Sequence, residues 1–332
     1  MRKGKKRLLL VGLLVLVLVA VCGCGPEQEL TTVQVNEVTH SIFYAPFYVA
    51  LEQGYFQEEG LEIELTNGGG SDKSMTALLS GQADVGLMGP ETAVYVRNEG
   101  RENYAVIVAQ LTKRDGSFLL GKTPDEDFTW SKLRGTSVIG GRSGGMPEMT
   151  LEYVLKQNGM TPNVDLTVRT DVQFDLMGGA FIAGEDDYVT MFEPSASTME
   201  RADQGYIVAS VGEAAGDVPY TCFMVTRDFL EAEPELVTAF VRAVYRGQQY
   251  VQTHSAEEIA TAILDSFPDS DLELVTTVVQ RYLEIGVWKT EPMMVEEDYQ
   301  RLLTIIREAG IIDQAPEMKD LVDNSIGESL VR

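Results

Sequence analysis

Residues 71–91 read SDKSMTALLSGQADVGLMGPE and hold a helix, a strand and the start of a second helix. Apolar residues recur at helical spacing after Ser71, which can cap this helix, and Gly81 ends it. Asp84–Met88 is a short apolar strand, and Gly89-Pro90-Glu91 opens the next helix. Helix, strand and helix at such short spacing predict a parallel sheet with helices on its faces.

The same alternation of strands and helices extends outward on both sides of this stretch. Past Val218 the pattern changes, because one strand is followed almost entirely by helices, at Pro234–Thr253, Ala256–Phe267, Asp271–Ile285 and Glu296–Ala309. The predicted strands are Thr32–Val38, Leu61–Thr66, Asp84–Met88, Tyr104–Leu111, Phe118–Leu120, Thr136–Ile139, Asp165–Arg169, Tyr188–Met191, Tyr206–Ser210 and Thr221–Thr226.

These elements predict an α/β protein of two lobes, each a parallel-type sheet flanked by helices, with a helical C-terminal region. A single late strand cannot form an α/β domain by itself, so we expect it to return to the first lobe. The expected divisions are 32–114 for the first part of lobe 1, 115–218 for lobe 2, and 219–332 for the return and the C-terminal helices.

The N-terminus has the pattern of an export signal. A basic start precedes a charge-free run over residues 8–21, which is too short to span a bilayer with the usual ~20 residues. Val21-Cys22-Gly23-Cys24 resembles a bacterial lipoprotein signal, in which Cys24 is the acylated residue. We expect a signal peptide at 1–23 and a tether at 24–31. A plain signal peptide with two incidental cysteines is the alternative.

Charge and cysteine content exclude several classes of protein. The chain carries 26 Lys and Arg against 51 Asp and Glu, and removal of the signal leaves 21 basic residues against the same 51 acids. Such a surface repels nucleic acid and anionic lipid headgroups. Processing at Cys24 leaves Cys222 as the only internal thiol, so no internal disulfide can form. Cys222 lies in an apolar run and is expected to be a small buried hydrophobe without a catalytic role.

In open α/β sheets, ligands bind outside the carboxyl ends of the strands. This rule selects residues 40–44, 67–71 and 89–92 in lobe 1, and 140–148 and 192–194 in lobe 2. The stretch GGRSGGMPEM at 140–149 is a glycine-rich loop that feeds a helix, but it lacks the lysine of a phosphate-binding P-loop. Two lobes that face each other across such loops form a cleft that can close by a hinge motion.

Four segments carry a family resemblance: APFYVALEQGYFQEEGLEIEL at 45–65, ALLSGQADVGLMGPE at 77–91, LRGTSVIGGRSGG at 133–145 and VTRDFLEAEPELVTAFVRA at 225–243. In this order the chain resembles the solute-binding proteins of ABC importers, in the nitrate/sulfonate/taurine and thiamine-pyrimidine class. The resemblance implies a two-lobed type II periplasmic-binding fold and delivery of a small solute to a permease.

The resemblance also implies solute-binding positions where its motifs match. An Asp and Pro of the family's second lobe correspond to Asp187 and Pro194, next to Glu193, but the stretch GGAFIAGEDDYVTMFEPSAS departs from the family pattern. The matched positions are Phe43, Tyr44, Gly69, Gly70, Ser71, Gly89, Pro90, Glu91, Ser143, Gly144 and Gly145.

The same loops carry groups that bear on the charge of the solute. Arg142, with helix N-termini at Ser71 and Ser143, suits an anion such as a sulfonate or nitrate. Glu91, Glu148 and Glu193, with the rings of Phe43 and Tyr44, suit a nitrogen-rich cation or pyrimidine-like heterocycle. We expect the second. Each group also has a structural alternative: a helix-dipole role for Glu91 and Glu148, a hinge bond for Glu193, a loop anchor for Arg142, and core packing for the two rings.

The sequence therefore predicts an extracytoplasmic, lipid-anchored and monomeric protein that captures a small molecule for an ABC permease and its ATPase. No cofactor is expected. A metal site is not expected either, because His40 and His254 are the only histidines and are far apart in sequence. Two other functions stay open: an enzyme related to thiamine-pyrimidine synthesis, although its histidine and cysteine-rich motifs have no match here, and a sensor that presents its ligand to a membrane receptor.

Overall fold

The computed structural model describes residues 29–331. The signal peptide 1–23, Cys24 and the tether up to residue 28 lie outside the described residues. The strands are β1 (Thr31–Glu37), β2 (Leu61–Asn67), β3 (Val85–Met88), β4 (Ala105–Thr112), β5 (Ser117–Gly121), β6 (Ser137–Ile139), β7 (Thr167–Arg169), β8 (Tyr188–Phe192), β9 (Tyr206–Ser210) and β10 (Thr221–Thr226). All ten lie within two residues of the positions that the sequence predicts.

Fourteen α-helices connect and cover these strands within residues 29–331. They are α1 (Ala45–Glu52), α2 (Tyr55–Glu58), α3 (Ser71–Leu79), α4 (Glu91–Asn98), α5 (Met146–Gln157), α6 (Met177–Ala183), α7 (Ser195–Arg201), α8 (Val211–Ala215), α9 (Arg227–Ala232), α10 (Pro234–Thr253), α11 (Ala256–Ile263), α12 (Leu272–Glu284), α13 (Glu296–Glu308) and α14 (Ser325–Leu330). Short 3-10 turns occupy Ile42–Tyr44, Trp130–Leu133, Phe174–Leu176, Leu264–Ser266 and Met318–Asp320.

Two five-stranded sheets form the framework. Sheet I has the order β2-β1-β3-β10-β4, and sheet II has the order β7-β6-β8-β5-β9. The late strand β10 lies between β3 and β4, so it returns to the first sheet. The α/β class with two sheets and flanking helices is confirmed, while the domain boundaries stay a prediction.

The sheets are mixed, which corrects the expectation of a parallel type. β1 pairs with β3 in parallel, and β6 pairs in parallel with β7 and β8. By contrast, β10 is antiparallel to both neighbours in sheet I, and β5 is antiparallel to both neighbours in sheet II. A parallel pair needs a long crossover connection. The chain enters β5 from β4 of sheet I, and it enters β10 from β9 of sheet II through α8, so neither strand follows a crossover within its own sheet.

The two chain crossings between the sheets lie side by side. Val218 N–H donates to the Lys113 carbonyl at 2.8 Å, which joins the crossings through the backbone. Arg114 forms an ion pair with Asp217 at 2.5 Å and donates to the Ile285 carbonyl at 2.6 Å. These contacts fix the base from which the two sheets extend.

The C-terminal helices pack against sheet I. Helix α10 crosses α1 so closely that a Cβ at Gly247 would lie 2.0 Å from the Pro46 carbonyl oxygen, so only glycine fits there. Phe47 and Phe223 are fully buried beneath this crossing, with ring centroids 5.3 Å apart. The expected cap at Ser71 is wrong, because Ser71 is the first residue of α3 and Gly70 is in the cap position.

Candidate functional site

A cavity of about 420 Å³ lies at the carboxyl ends of strands from both sheets, as the strand-end rule predicts. Its size is in the range of sites that bind small molecules. From sheet I it receives the segments after β1, β2 and β3 and the start of β10, and from sheet II the segments after β6 and β7. The lining residues used below are Ser41, Tyr44, Gly70, Ser71, Asp72, Lys73, Gly89, Glu91, Arg142, Gly145, Met146, Phe174, Asp175, Phe192, Tyr220 and Thr221.

Eight of the fourteen predicted site residues line this cavity: Tyr44, Gly69, Gly70, Ser71, Gly89, Glu91, Arg142 and Gly145. The other six do not line it: Phe43, Pro90, Ser143, Gly144, Glu148 and Glu193. The contacts of all of these except Pro90 explain why.

Phe43 is a core residue in this structure. Its side chain is 1% exposed and packs against four aromatic rings. A Cβ at Gly116 would lie 2.4 Å from the Phe43 ring, so the crossing between the sheets needs a glycine to pass over it. The core alternative therefore describes Phe43 better than a stacking role against a solute.

Glu193 is buried with a complete set of partners. Its carboxylate accepts hydrogen bonds from the backbone N–H and hydroxyl of Ser197, both at 2.8 Å, and from Arg281 at 2.9 Å. The same arginine reaches Glu200, and the Ser41 hydroxyl donates to the Glu193 carbonyl at 2.9 Å. Glu193 joins α7 to α12 and to the loop after β1, so its carboxylate is occupied by structural partners.

Glu148 holds the shape of the glycine-rich loop. Its carboxylate accepts from the Gly144 N–H at 3.1 Å, and Gly144 has the positive φ of +75° that favours glycine. Burial, followed by repulsion from Glu152, raises the pKa of Glu148 to about 7. Tyr95 of α4 donates to the Gly144 carbonyl at 3.1 Å, which ties the loop to the side of sheet I. Ser143 and Gly144 therefore form the outside of the loop rather than the cavity wall.

Arg142 lies at the mouth of the cavity. Its guanidinium is 3.4 Å from the carboxylate of Asp72, the second residue of α3, and both side chains are about half exposed. Exposed pairs of this kind contribute about 0–1 kcal/mol. The pair connects the glycine-rich loop to the opposite wall, in agreement with the anchor alternative, yet Arg142 still lines the cavity.

Glu91 is the buried carboxyl of the cavity. Its side chain is 1% exposed, and Oε2 has no hydrogen-bond partner among the described residues. Burial raises the pKa of Glu91 to about 7, against smaller opposing effects of its own backbone N–H and of Arg142. A Cβ at Gly89 would lie 2.1 Å from Oε2, so the glycine leaves the space that the carboxylate occupies. An unpaired buried polar atom is rare and calls for a partner.

Sequence reasoning missed Tyr220, Thr221, Phe174 and Asp175. The hydroxyl of Tyr220 is buried at the cavity without a hydrogen-bond partner in residues 29–331. Behind it lies Asp115, fully buried at the crossing, and burial raises the pKa of this carboxyl to about 6. Tyr220 and Thr221 could have been found, because they stand where the predicted return strand enters the first sheet.

Within residues 29–331, no group of three or more His, Cys, Asp or Glu side chains is arranged to hold a metal. His40 is engaged instead, with Nδ1 bonded to Glu37 at 2.9 Å and Nε2 to the Ser266 carbonyl at 2.8 Å. None of the helices in this part of the chain combines the length and apolarity needed to span a membrane. Cys222 is buried as expected.

The sequence of this chain is similar to those of a family of known proteins. The model of the family described as "NMT1/THI5 like" matches residues 42–258. The Bacillus subtilis (strain 168) protein YtlA, whose name describes it as a binding protein, is 40% identical over 311 residues, which cover 94% of this chain and 93% of YtlA. A 4-amino-5-hydroxymethyl-2-methylpyrimidine phosphate synthase of Aspergillus parasiticus is 24% identical over 291 residues, covering 82% of this chain and 80% of the synthase.

The fold also matches a solved structure. The periplasmic nitrate-binding protein NrtA of Synechocystis PCC 6803 superposes with a TM-score of 0.74 at 17% identity, covering 91% of this chain and 89% of NrtA. At this identity the likeness shows the fold alone. The family match spans more than half of the chain, and the likeness to YtlA extends over nearly all of it. The chain therefore belongs to the NMT1/THI5-like family, as its sequence resemblance predicts.

Proposed function

We propose that this chain is an extracytoplasmic solute-binding protein of an ABC importer, and that its solute is a small nitrogen-rich cation or heterocycle held against Glu91. Two observations support the general role. The relative YtlA carries the name of a binding protein, and the cavity lies between two sheets in the fold of the nitrate-binding protein NrtA.

The unpaired Oε2 atom of Glu91 is the observation that carries the choice of solute. A buried carboxylate oxygen without a partner is costly, and a solute N–H group supplies the missing donor. A cationic N–H also favours the ionised form of Glu91 and gives a charge-assisted bond, about twice as strong as a neutral one. Tyr44 and Tyr220 line the same cavity and offer aromatic surface.

Capture follows from the position of the cavity between the sheets. A solute that touches Glu91 on one side and Gly145 or Met146 on the other bridges both walls. It stabilises the closed arrangement in proportion to its higher affinity for that arrangement. The protein, anchored through Cys24 and acting as a monomer, then delivers the solute to the permease and its ATPase.

An anionic solute is the second candidate, and a specific observation favours it. Gly70 and Ser71 at the start of α3, and Gly145 and Met146 at the start of α5, line the cavity together with Arg142. Helix N-termini and a guanidinium suit a sulfonate or nitrate. At α4, however, the first residue is Glu91, and its buried carboxyl group lines the same cavity and disfavours an anion there.

A thermal-shift panel separates the two candidates. Thermal unfolding is measured with methylguanidine, benzamidine, 4-aminopyrimidine, taurine or nitrate. Each compound is tested on the wild type, on Glu91→Gln and on the control Glu148→Gln. A compound at about 100 times its dissociation constant adds about 2.7 kcal/mol of stability. We expect stabilisation by the first three compounds, an affinity about 100-fold lower in Glu91→Gln, and little change in Glu148→Gln. Stabilisation by taurine or nitrate, equal in the wild type and Glu91→Gln, would contradict the proposal and establish the anion site.

A further inference from the structure

A second cavity of about 230 Å³ adjoins the first one. The two share five lining residues, Thr39, Ser41, Phe174, Asp175 and Phe192, so a path between them runs past these side chains. We call this second cavity the side chamber. It reaches from the loop after β1 to the start of α7 and contains neither Glu91 nor Arg142 in its walls.

The side chamber has a mixed lining, in which five of the twelve residues carry thioether, aromatic or proline groups and the other seven are polar. Met177, Met191 and Pro194 line this chamber but not the main cavity, whereas Phe174 and Phe192 line both, with ring centroids 5.8 Å apart. Phe174 is 39% exposed, which is high for a phenylalanine. An exposed aromatic ring at the junction of two cavities is a ready contact surface for an apolar group.

Most polar groups of these walls are already paired within the protein. The Ser41 hydroxyl donates to the Glu193 carbonyl, and the Thr190 hydroxyl donates to the Ile139 carbonyl at 3.3 Å. The Glu193 carboxylate is held by Ser197 and Arg281, and both ring nitrogens of His40 have partners. A buried water needs two to four polar partners, and these walls offer few. Asp175, shared by both cavities, stands at the passage.

We propose that the side chamber is a subsite for an uncharged aromatic ring or short aliphatic arm of the captured solute, whose N–H-bearing head lies at Glu91. The position of the head at Glu91 rests on the proposed function, whereas the binding of the arm in the side chamber does not. The chamber is large enough, since an apolar cavity of roughly 150 Å³ binds benzene. The solute is then a two-part molecule, longer than the main cavity alone would hold.

The direct test is NMR of the full chain labelled with [13C-methyl]methionine, with benzyl alcohol as the probe for the arm. Met177 and Met191 report on the side chamber, and Met146 reports on the main cavity. Substitution of each by Leu assigns its signal. Ser195→Trp, at an exposed position that lines the chamber, fills it. Thr198→Trp is the matched control, exposed on the same helix but outside the lining.

We expect benzyl alcohol to shift the Met177 and Met191 signals with a dissociation constant of about millimolar. The shifts persist in Glu91→Gln and Thr198→Trp and vanish in Ser195→Trp. Shifts confined to Met146, or equal side-chamber shifts in Ser195→Trp and Thr198→Trp, would overturn the inference. Because the probe has no N–H head, this result is independent of Glu91, so failure of the proposed solute class and failure of the subsite are distinguishable.

A linked pair of probes tests whether head and arm belong to one molecule. In the wild type we expect phenethylguanidine to bind at least about tenfold more tightly than ethylguanidine, because its ring leaves water for the side chamber. In Ser195→Trp the ratio falls to near one, and in Thr198→Trp it is kept. An unchanged ratio in Ser195→Trp would contradict the two-part solute.

Discussion

Glu91 and Glu193 are equally buried, at 1% exposure each, but the two carboxylates differ in how many hydrogen bonds they accept. Both follow the carboxyl end of a strand, β3 in sheet I and β8 in sheet II. Glu193 accepts three hydrogen bonds, one of them from a guanidinium, whereas Oε2 of Glu91 accepts none within the described residues. Burial alone therefore does not distinguish the two carboxylates, and the missing partner of Glu91 Oε2 does.

The physical difference lies in how each desolvation cost is offset. A buried charge is tolerated when a counter-charge and hydrogen bonds replace the lost water, as Arg281 and Ser197 do for Glu193. Glu91 receives only its own backbone N–H and a distant effect of Arg142, so burial dominates and its pKa rises. Within the described residues, Oε2 of the carboxyl group after β3 therefore has no donor, while the carboxylate after β8 has three.

The largest expected effect is on the pH dependence of stability. The folded-state pKa of Glu91 is about 7 against an ordinary value of 4.5, so the unfolded chain releases this proton first as pH rises. The contribution of Glu91 is present below pH 4.5 and is lost through pH 7, by about 3 kcal/mol. Relative to Glu91→Gln, the wild type should therefore lose about this much unfolding free energy between pH 4.5 and pH 8, as measured by urea denaturation.

The exposed Glu62 of β2 supplies the control for this measurement. Glu62→Gln should follow the wild type at every pH, because an exposed carboxylate keeps its water when the chain folds. If Glu91→Gln also followed the wild type from pH 4.5 to pH 8, Glu91 would have a donor in the free protein, and its contrast with Glu193 would disappear.

The next effect concerns the partnered carboxylate. Glu193→Ala leaves Ser197 without this acceptor and Arg281 with Glu200 as its remaining carboxylate. We therefore expect a loss of about 2 kcal/mol of unfolding free energy, reduced from the fully buried case by the partial exposure of the arginine. A double-mutant cycle with Arg281→Ala should give a coupling of at least about 1 kcal/mol. Additive losses would mean that the ion pair contributes nothing and that Glu193 is not held as its contacts suggest.

The sequence was informative about this contrast only in part. Strand positions follow from local apolar patterns, and the strand-end rule brings Glu91 and Glu193 to neighbouring edges of the two sheets. The partners of Glu193 could not be predicted, because Arg281 lies 88 residues away on α12 and no local pattern connects the two. The direction of β5 and β10 was missed for a related reason, since it depends on how the chain crosses between the sheets. Tyr220 joins the cavity only through that crossing.

A smaller expected effect is on the pH dependence of the affinity for a cationic probe. A cationic probe such as methylguanidine needs ionised Glu91, and with a pKa of about 7 the ionised fraction rises about tenfold from pH 6 to pH 8. We expect the affinity, measured by calorimetry, to rise about tenfold over this range and to be nearly independent of pH in Glu91→Gln. A fall in affinity with rising pH would indicate that the probe does not meet a carboxylate.

The smallest expected effect comes from Glu148, whose pKa is also raised to about 7 and which follows a proline just as Glu91 does. Its carboxylate already accepts from the Gly144 N–H and does not line the cavity, so Glu148→Gln weakens the loop and the start of α5. We expect a loss of about 0.5–1 kcal/mol of stability. The affinity for methylguanidine should change less than about twofold and should keep its tenfold rise with pH. If Glu148→Gln removed that rise, the titrating group in the binding reaction would be Glu148, and the unpaired atom of Glu91 would not be the feature that selects the solute.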